Sequence, residues 1–154
     1  MQIITHAPTD PDLTDVLTLM QVSFAYMDGR IDPPSSIHRL TLNDLKEKCE
    51  TAYVWSIGHP CEACVVITPI KDGLYIGKLA VAEQSRGKGH ARHLINAATG
   101  LGIQLGLRYL ELETRVELSE NHAVFEKMDF HKTDKTAHDG YTRPTSITMR
   151  RLLK

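Results

Sequence analysis

The 154-residue chain has no excess of charge: 18 Lys and Arg stand against 19 Asp and Glu, and no block of like charges occurs. Nucleic-acid backbones and anionic membrane surfaces are bound by concentrated positive charge, so neither partner is supported. No apolar run approaches the roughly 20 residues needed to span a bilayer. The N-terminal Met1-Gln-Ile-Ile-Thr-His-Ala-Pro8 has neither a basic n-region nor an apolar h-region, and a cytoplasmic protein is expected. There are only three cysteines, an odd count that argues against a disulfide framework. Cys61-Glu-Ala-Cys64 has redox-pair spacing, with His59 close by. That segment reads as a strand, however, which points residues three apart to opposite faces, and a zinc site needs a further ligand. Free thiols, buried or half-buried, are expected. His6, His93, His122, His131 and His138 show no ligand spacing, so no metal is expected. Repeats, low-complexity tracts and linkers are also missing. Residues 1–154 are read as one domain, long enough to bury about two-thirds of its unfolded surface.

What is present concentrates in Leu79-Ala-Val-Ala-Glu-Gln-Ser-Arg-Gly-Lys-Gly-His-Ala-Arg-His-Leu-Ile95. An apolar run ending at Val81 predicts a strand. Gln84-Ser-Arg86-Gly87-Lys88-Gly89 makes a basic, glycine-rich turn, and Ala91, Leu94, Ile95, Ala98 and Leu101 recur at helical spacing. A strand, a glycine turn and a helix start place free N–H groups together, which is a site for phosphate or pyrophosphate. Gly87 and Gly89 admit close backbone approach and Arg86 adds a bidentate cation. An ordinary glycine-rich connection with solvated Arg and Lys is the bland alternative. The P-loop order is absent because His90 follows Gly89, and the dinucleotide fingerprint is absent because Arg92 stands where its third glycine would be.

Before the turn, Ile3-Ile4 opens a short strand. Asp10-Pro11 supplies a cap and first position for a helix running to about Tyr26, with Leu13, Val16, Leu17, Met20 and Phe24 as its stripe. Met27–His38 is too rich in Gly and Pro for helix or strand, and Thr41-x-x-Asp44 predicts a capping box. Strands are expected at 52–57, 61–68 and 74–81, the last entered through an Asp72-Gly73 turn. After the glycine turn the helix continues to about Leu105, where Gly106 is a C-terminal cap. Tyr109–Thr114 alternates, with Leu110 and Leu112 on one face and Glu111 and Glu113 on the other. Ser119 is expected to cap a helix burying Val124, Phe125 and Met128, and strands near 130–135 and 145–151 close the chain.

Gln84-x-x-Gly87-x-Gly89 after Leu-Ala-Val resembles the pyrophosphate loop of the GCN5-related N-acetyltransferases (GNAT). Leu110-Glu-Leu-Glu113-Thr-Arg115 resembles that family's fifth strand, and Phe125-Glu-Lys-Met-Asp-Phe130 its Tyr-Glu-Lys-x-Gly-Phe signature. The resemblance runs along nearly the whole chain. It implies a mixed α/β fold: a twisted, mostly antiparallel sheet of six to seven strands with a splayed fourth and fifth strand, flanked by about four helices. It implies acetyl-CoA as cofactor and direct acetyl transfer to a primary amine of a small molecule or peptide. A catalytically degenerate acyl-CoA sensor is the alternative, and since family members are often dimers, a homodimer is an expectation.

Carried over by resemblance, the pyrophosphate falls to Gln84, Arg86, Gly87, Lys88, Gly89, His90 and Ala91. The pantetheine arm falls to the strand edge Leu79, Ala80 and Val81, and the Leu79 N–H becomes the oxyanion donor. Glu113 matches a catalytic base in ribosomal-protein acetylases of the family; a solvated strand face is the other reading. Where many members have a Tyr as general acid, this chain has Phe125, which can pack on the cofactor but donates no proton, so the acid would be water, another side chain such as Tyr141, or nothing. The family's cofactor-contacting Asn position is Leu118 here. Asn121, one turn later, either takes that role or is a polar first-turn residue. Asp129 replaces a glycine. The acceptor is assigned to Tyr26, Asp28, Arg30, Ser35, Ser36 and His38 on one side and Tyr141 and Arg143 on the other. Arg30 and Arg143 suit a carboxylate, and Asp28 suits an ammonium.

Overall fold

The computed structural model describes residues 2–153. Its order is β1 (Ile3–Thr5), α1 (Leu13–Phe24), α2 (Leu42–Thr51), β2 (Tyr53–Ile57), β3 (Ala63–Ile70), β4 (Gly73–Val81), α3 (His90–Gln104), β5 (Tyr109–Arg115), α4 (Ser119–Glu126), β6 (His131–Thr136) and β7 (Ser146–Leu152). The seven strands form one sheet in the order β1-β2-β3-β4-β5-β7-β6, antiparallel except for the β4–β5 pair. This is the mixed architecture expected.

Alternation divides the core. Val65 and Ile67 of β3 join Leu74 and Ile76 of β4, Leu110 and Leu112 of β5, and Leu94, Ile95 and Ala98 of α3. Cys64 and Val66 face the other way, against Leu13, Val16 and Met20 of α1 and Leu45 of α2. β3 is therefore buried on both faces, which accounts for its unbroken apolar run. On α3, Gly102 lies so close to Leu153 that a Cβ there would meet its Cδ1 at 2.5 Å. A glycine at that position therefore lets the helix pack closely.

Several boundaries differ from expectation, each for a local reason. Asp10 does not cap α1. Its carboxylate accepts the Asp12 N–H at 2.9 Å and meets His6 Nδ1 at 2.7 Å, turning the chain so that the helix begins at Leu13. Ser119 makes no cap, and Leu118 holds the N-cap position. The inner face of α4 runs Leu118, His122, Phe125, leaving Val124 48% exposed. Cys61 lies in the turn before β3, so strand alternation does not separate it from Cys64. Both are free thiols buried on the α1 side, and the Cys61 thiol donates to the Ala63 carbonyl at 3.3 Å. The proline-rich segment contains a 3-10 turn at Ser36–Arg39.

The Thr41–Asp44 capping box forms in full, and Asp72 turns the β3–β4 hairpin with φ 62°. Asp129 follows α4 with φ 68°, in the left-handed region that a glycine occupies freely. Asp129→Gly is expected to raise the unfolding free energy by about 0.5 to 1 kcal/mol, the relieved strain exceeding the added entropy of the unfolded chain. Urea denaturation reads this directly, and an unchanged or lowered midpoint would contradict it.

Candidate active site

β4 and β5 run side by side for only three residues, Gly73–Tyr75 against Tyr109–Glu111. Beyond them β4 changes register with β3: Val66 pairs with Gly77 but Cys64 with Ala80. One β3 residue therefore opposes two on β4, a bulge at Lys78–Leu79 with Lys78 at φ 54°. β4 bends away from β5, and a cleft of about 980 Å³ opens between them.

One wall is the β4 edge, with Leu79, Ala80 and Val81. Arg86, Gly87, Gly89, His90 and Ala91 form its end. Gly87 and Gly89 have φ 80° and 82°, and a Cβ on either would meet nothing within 4 Å. They serve the turn's left-handed backbone and leave space above it. Gly89 is the N-cap of α3 and offers no side-chain acceptor, so the first-turn N–H groups carry the positive end of a fifteen-residue helix uncapped. His90, at the helix start, is only 6% exposed, and its Nδ1 has no partner. A buried polar atom without a partner in a cleft wall is a cost that a bound ligand can remove.

Behind this turn stands Glu62, whose role the sequence reading missed because that segment was weighed only for its thiols. Its Oε1 accepts from Ser85 Oγ at 3.0 Å and faces His90 Nε2 at 3.4 Å. The Ser85 bond, then the His90 bond, hold its carboxyl below the usual range. Its main chain also spans the sheet edge, with its carbonyl accepting the Ala82 N–H at 2.8 Å.

The opposite wall comes from β5 and α4. Glu113 lines the cleft and is exposed, while Thr114 is 7% exposed with its hydroxyl unpartnered. Phe125 lines the cleft and meets Phe130 edge-on at 5.9 Å between centroids. Asn121 also lines it and donates to the Tyr26 hydroxyl at 3.1 Å. Tyr75 projects into the gap, where burial and then the Glu113 charge push its phenol up to about 12.

The structure gathers most of the expected residues on this cleft: Leu79, Ala80, Val81, Arg86, Gly87, Gly89, His90, Ala91, Glu113, Asn121, Phe125, Tyr26 and Arg30. Gln84, Lys88, Asp28, His38 and Tyr141 are not on its walls. The expected acceptor charges already have partners. Arg30 Nη2 donates to both Glu120 oxygens at 2.9 Å, Asp28 meets His38 at 2.6 Å, and Arg143 meets Asp32 at 3.2 Å. The Tyr141 hydroxyl donates to Asp32 at 2.6 Å, which pushes its pKa up, so it is not a free acid for the cleft. Tyr75 and Lys78 line the cleft instead. Gly77-Lys78 inside a strand pattern was the available signal, since a glycine within a strand marks a bulge. Among the described residues, no group of three His, Cys, Asp or Glu could hold a metal ion, and no helix is long and apolar enough to cross a membrane.

The family model for the acetyltransferase (GNAT) family matches residues 15–130. No curated protein matches the sequence significantly. Among solved structures, the PaiA N-acetyltransferase of Thermoplasma acidophilum, crystallised with coenzyme A, superposes with TM-score 0.78 at 13% identity, covering 99% of both chains. Ard1 of Thermoplasma volcanium gives 0.76 at 18% identity, covering 99% of this chain and 97% of its own. The ribosomal-protein-S18-alanine N-acetyltransferase of Escherichia coli gives 0.70 at 15% identity, covering 99% and 94%.

The anchored carboxylate behind the turn has a pH signature. Because the folded pKa of Glu62 is depressed, its contribution to stability is present above the ordinary glutamate pKa and lost as pH falls through the folded value. Urea midpoints measured from roughly pH 5 to pH 3 should fall less steeply for Glu62→Gln than for the native chain, since Gln has no charge to lose. Parallel slopes would show that the Ser85 and His90 contacts do not favour the ionised carboxylate.

Proposed function

The chain belongs to the GNAT acetyltransferase family, and from that premise we propose that it transfers the acetyl group of acetyl-CoA directly to a primary amine of a small molecule or peptide. Residues 1–154 are read as one catalytic domain. The observation that carries the proposal is the parting of β4 and β5, with a glycine-lined helix N-terminus and the Glu113 carboxylate on the same cleft.

The walls fit the cofactor. The amides from Arg86 to Ala91 and the Arg86 guanidinium suit a pyrophosphate, and His90, braced by Glu62, can offer Nδ1–H to a phosphate oxygen when protonated. Gln84 and Lys88 are assigned to the same turn, holding its shape from outside the cleft wall. Past Tyr75 the β4 edge has no β5 ladder, so Leu79, Ala80 and Val81 offer backbone groups to the amides of a pantetheine arm. Phe125 and Asn121 close over it.

Acetyl-CoA supplies a thioester carbonyl. The Leu79 N–H, just after the bulge, is assigned to the oxyanion that forms there; loss of one such donor costs about 3 kcal/mol of barrier. An alkyl ammonium has a pKa of about 10, so a base must take its proton near neutrality. Glu113, exposed in the cleft, takes that role through water. Phe125 cannot protonate the leaving thiolate, whose pKa of about 8.5 lets it depart without an acid. Tyr26 is assigned to the acceptor side, where Asn121 orients its hydroxyl. Asp28 with His38, Arg30 and Tyr141 shape that side through their pairings. The similar E. coli structure is that of a ribosomal-protein-S18-alanine N-acetyltransferase, which supports a peptide N-terminus as one acceptor class. Phe125 favours a second reading, an acyl-CoA sensor without turnover.

Glu113→Gln is expected to lower kcat about a hundredfold or more and to leave the acetyl-CoA dissociation constant within twofold. Steady-state kinetics beside calorimetry separate the two quantities. Unchanged kcat would remove Glu113 as base, and acetyl-CoA binding without turnover by the native chain on any amine would favour the sensor.

A further inference from the structure

Lys78 is a lysine where a bulge calls for glycine. A side chain at φ 54° is strained relative to the ordinary strand conformation, and glycine is the residue that avoids this strain. Of the three non-glycine residues at positive φ among the described residues, Asp72 forms a turn, Asp129 follows a helix and Lys78 lies within a strand. The bulge points it across the cleft, where Nζ donates to the Ser36 hydroxyl at 3.2 Å.

No carboxylate accompanies it. Among the described residues Lys78 forms no ion pair; burial, and then Lys48 on α2, push its pKa down. The carboxylates around the acceptor side are engaged elsewhere: Asp28 by His38, Asp32 and Glu117 by Arg143, Glu120 by Arg30 and Glu111 by Arg150. Arg115 donates from both Nη atoms to the Pro33 and Pro34 carbonyls. Glu113 likewise forms no ion pair among the described residues. Apart from Arg86 and Arg92 at the glycine turn, the cleft thus holds, among the described residues, a lysine with no carboxylate partner and a carboxylate with no cation partner.

We infer that the acceptor is an amine that also carries a carboxylate, which Lys78 and Ser36 hold while the amine lies toward Glu113. The inference rests on the acetyl-transfer reading and specifies its substrate class. A carboxylate gives the half-buried ammonium the partner that the protein withholds, and one ligand satisfies both unmatched charges. Free amino acids and peptides with an acidic first or second residue share this chemistry.

The test is binding to the preformed complex with coenzyme A, read by calorimetry, so that it does not depend on turnover. One arm compares α-amino acids with their carboxamides. The other compares tetrapeptide amides bearing Asp or Glu with the same peptides bearing Asn or Gln. In at least one arm the carboxylate form should bind about tenfold tighter or more, a difference of about 1.4 kcal/mol. The arm that shows it identifies the source. Lys78→Met should collapse that ratio toward one, Lys78→Arg should keep most of it, and Lys78→Glu should invert it. Equal binding of charged and neutral forms, a ratio that survives Lys78→Met, or no acceptor binding in either arm would overturn the assignment. Failure of coenzyme A itself to bind would instead sink the acetyl-transfer reading.

Discussion

The molecule depends on a sheet that stops pairing in its middle. Two central strands normally gain by extending their ladder, and unpaired backbone groups are costly when buried. Here the β4–β5 ladder ends after Tyr75, because the bulge at Lys78–Leu79 adds a residue to β4 and turns its edge away. Both strands are still held on their outer sides, β4 by β3 and β5 by β7, so the opening is fixed by neighbours and not by a hinge. The cleft, the exposed β4 edge and the position of the glycine turn at its end all follow from that one interruption. An extended amide ligand is the natural complement to such an edge.

The roof of the cleft is assembled differently, from polar contacts between segments distant in sequence. The loop after α1 is tied to α4 by Arg30–Glu120, to the 137–145 segment by Tyr141 and Arg143 on Asp32, and to β5 by Arg115 on two proline carbonyls. Exposed ion pairs contribute little singly, about 0 to 1 kcal/mol each. Together they engage the charged groups of the acceptor side, and Lys78 and Glu113 line the cleft with no ion pair among the described residues.

The fold was legible in the sequence wherever one local rule determined the outcome. Alternation in 109–114, helical spacing from Ala91 and the Thr41–Asp44 box all reappear as read. The glycine turn was legible because a left-handed backbone at 87 and 89 favours glycine. Rules that depend on a neighbour in space were not legible. Asp10 has the chemistry of a cap, but His6 and the Asp12 amide claim its oxygens. Arg30, Asp28 and Arg143 have the chemistry of substrate ligands, yet their partners lie up to 111 residues away. Lys78 and Glu62 went unread as site residues because Ser36, 42 residues before Lys78, and Ser85 and His90, 23 and 28 residues after Glu62, meet them only in the folded chain.

The central claim is that the glycine turn and the open β4 edge hold acetyl-CoA, and calorimetric titration of the chain with acetyl-CoA tests it most directly. The control is the double variant Arg86→Ala, Gly89→Glu, which removes the bidentate cation and fills the turn with an opposing charge. The account predicts micromolar binding by the native chain and its loss in the variant. Absence of binding by the native chain, or equal binding by both, would contradict it.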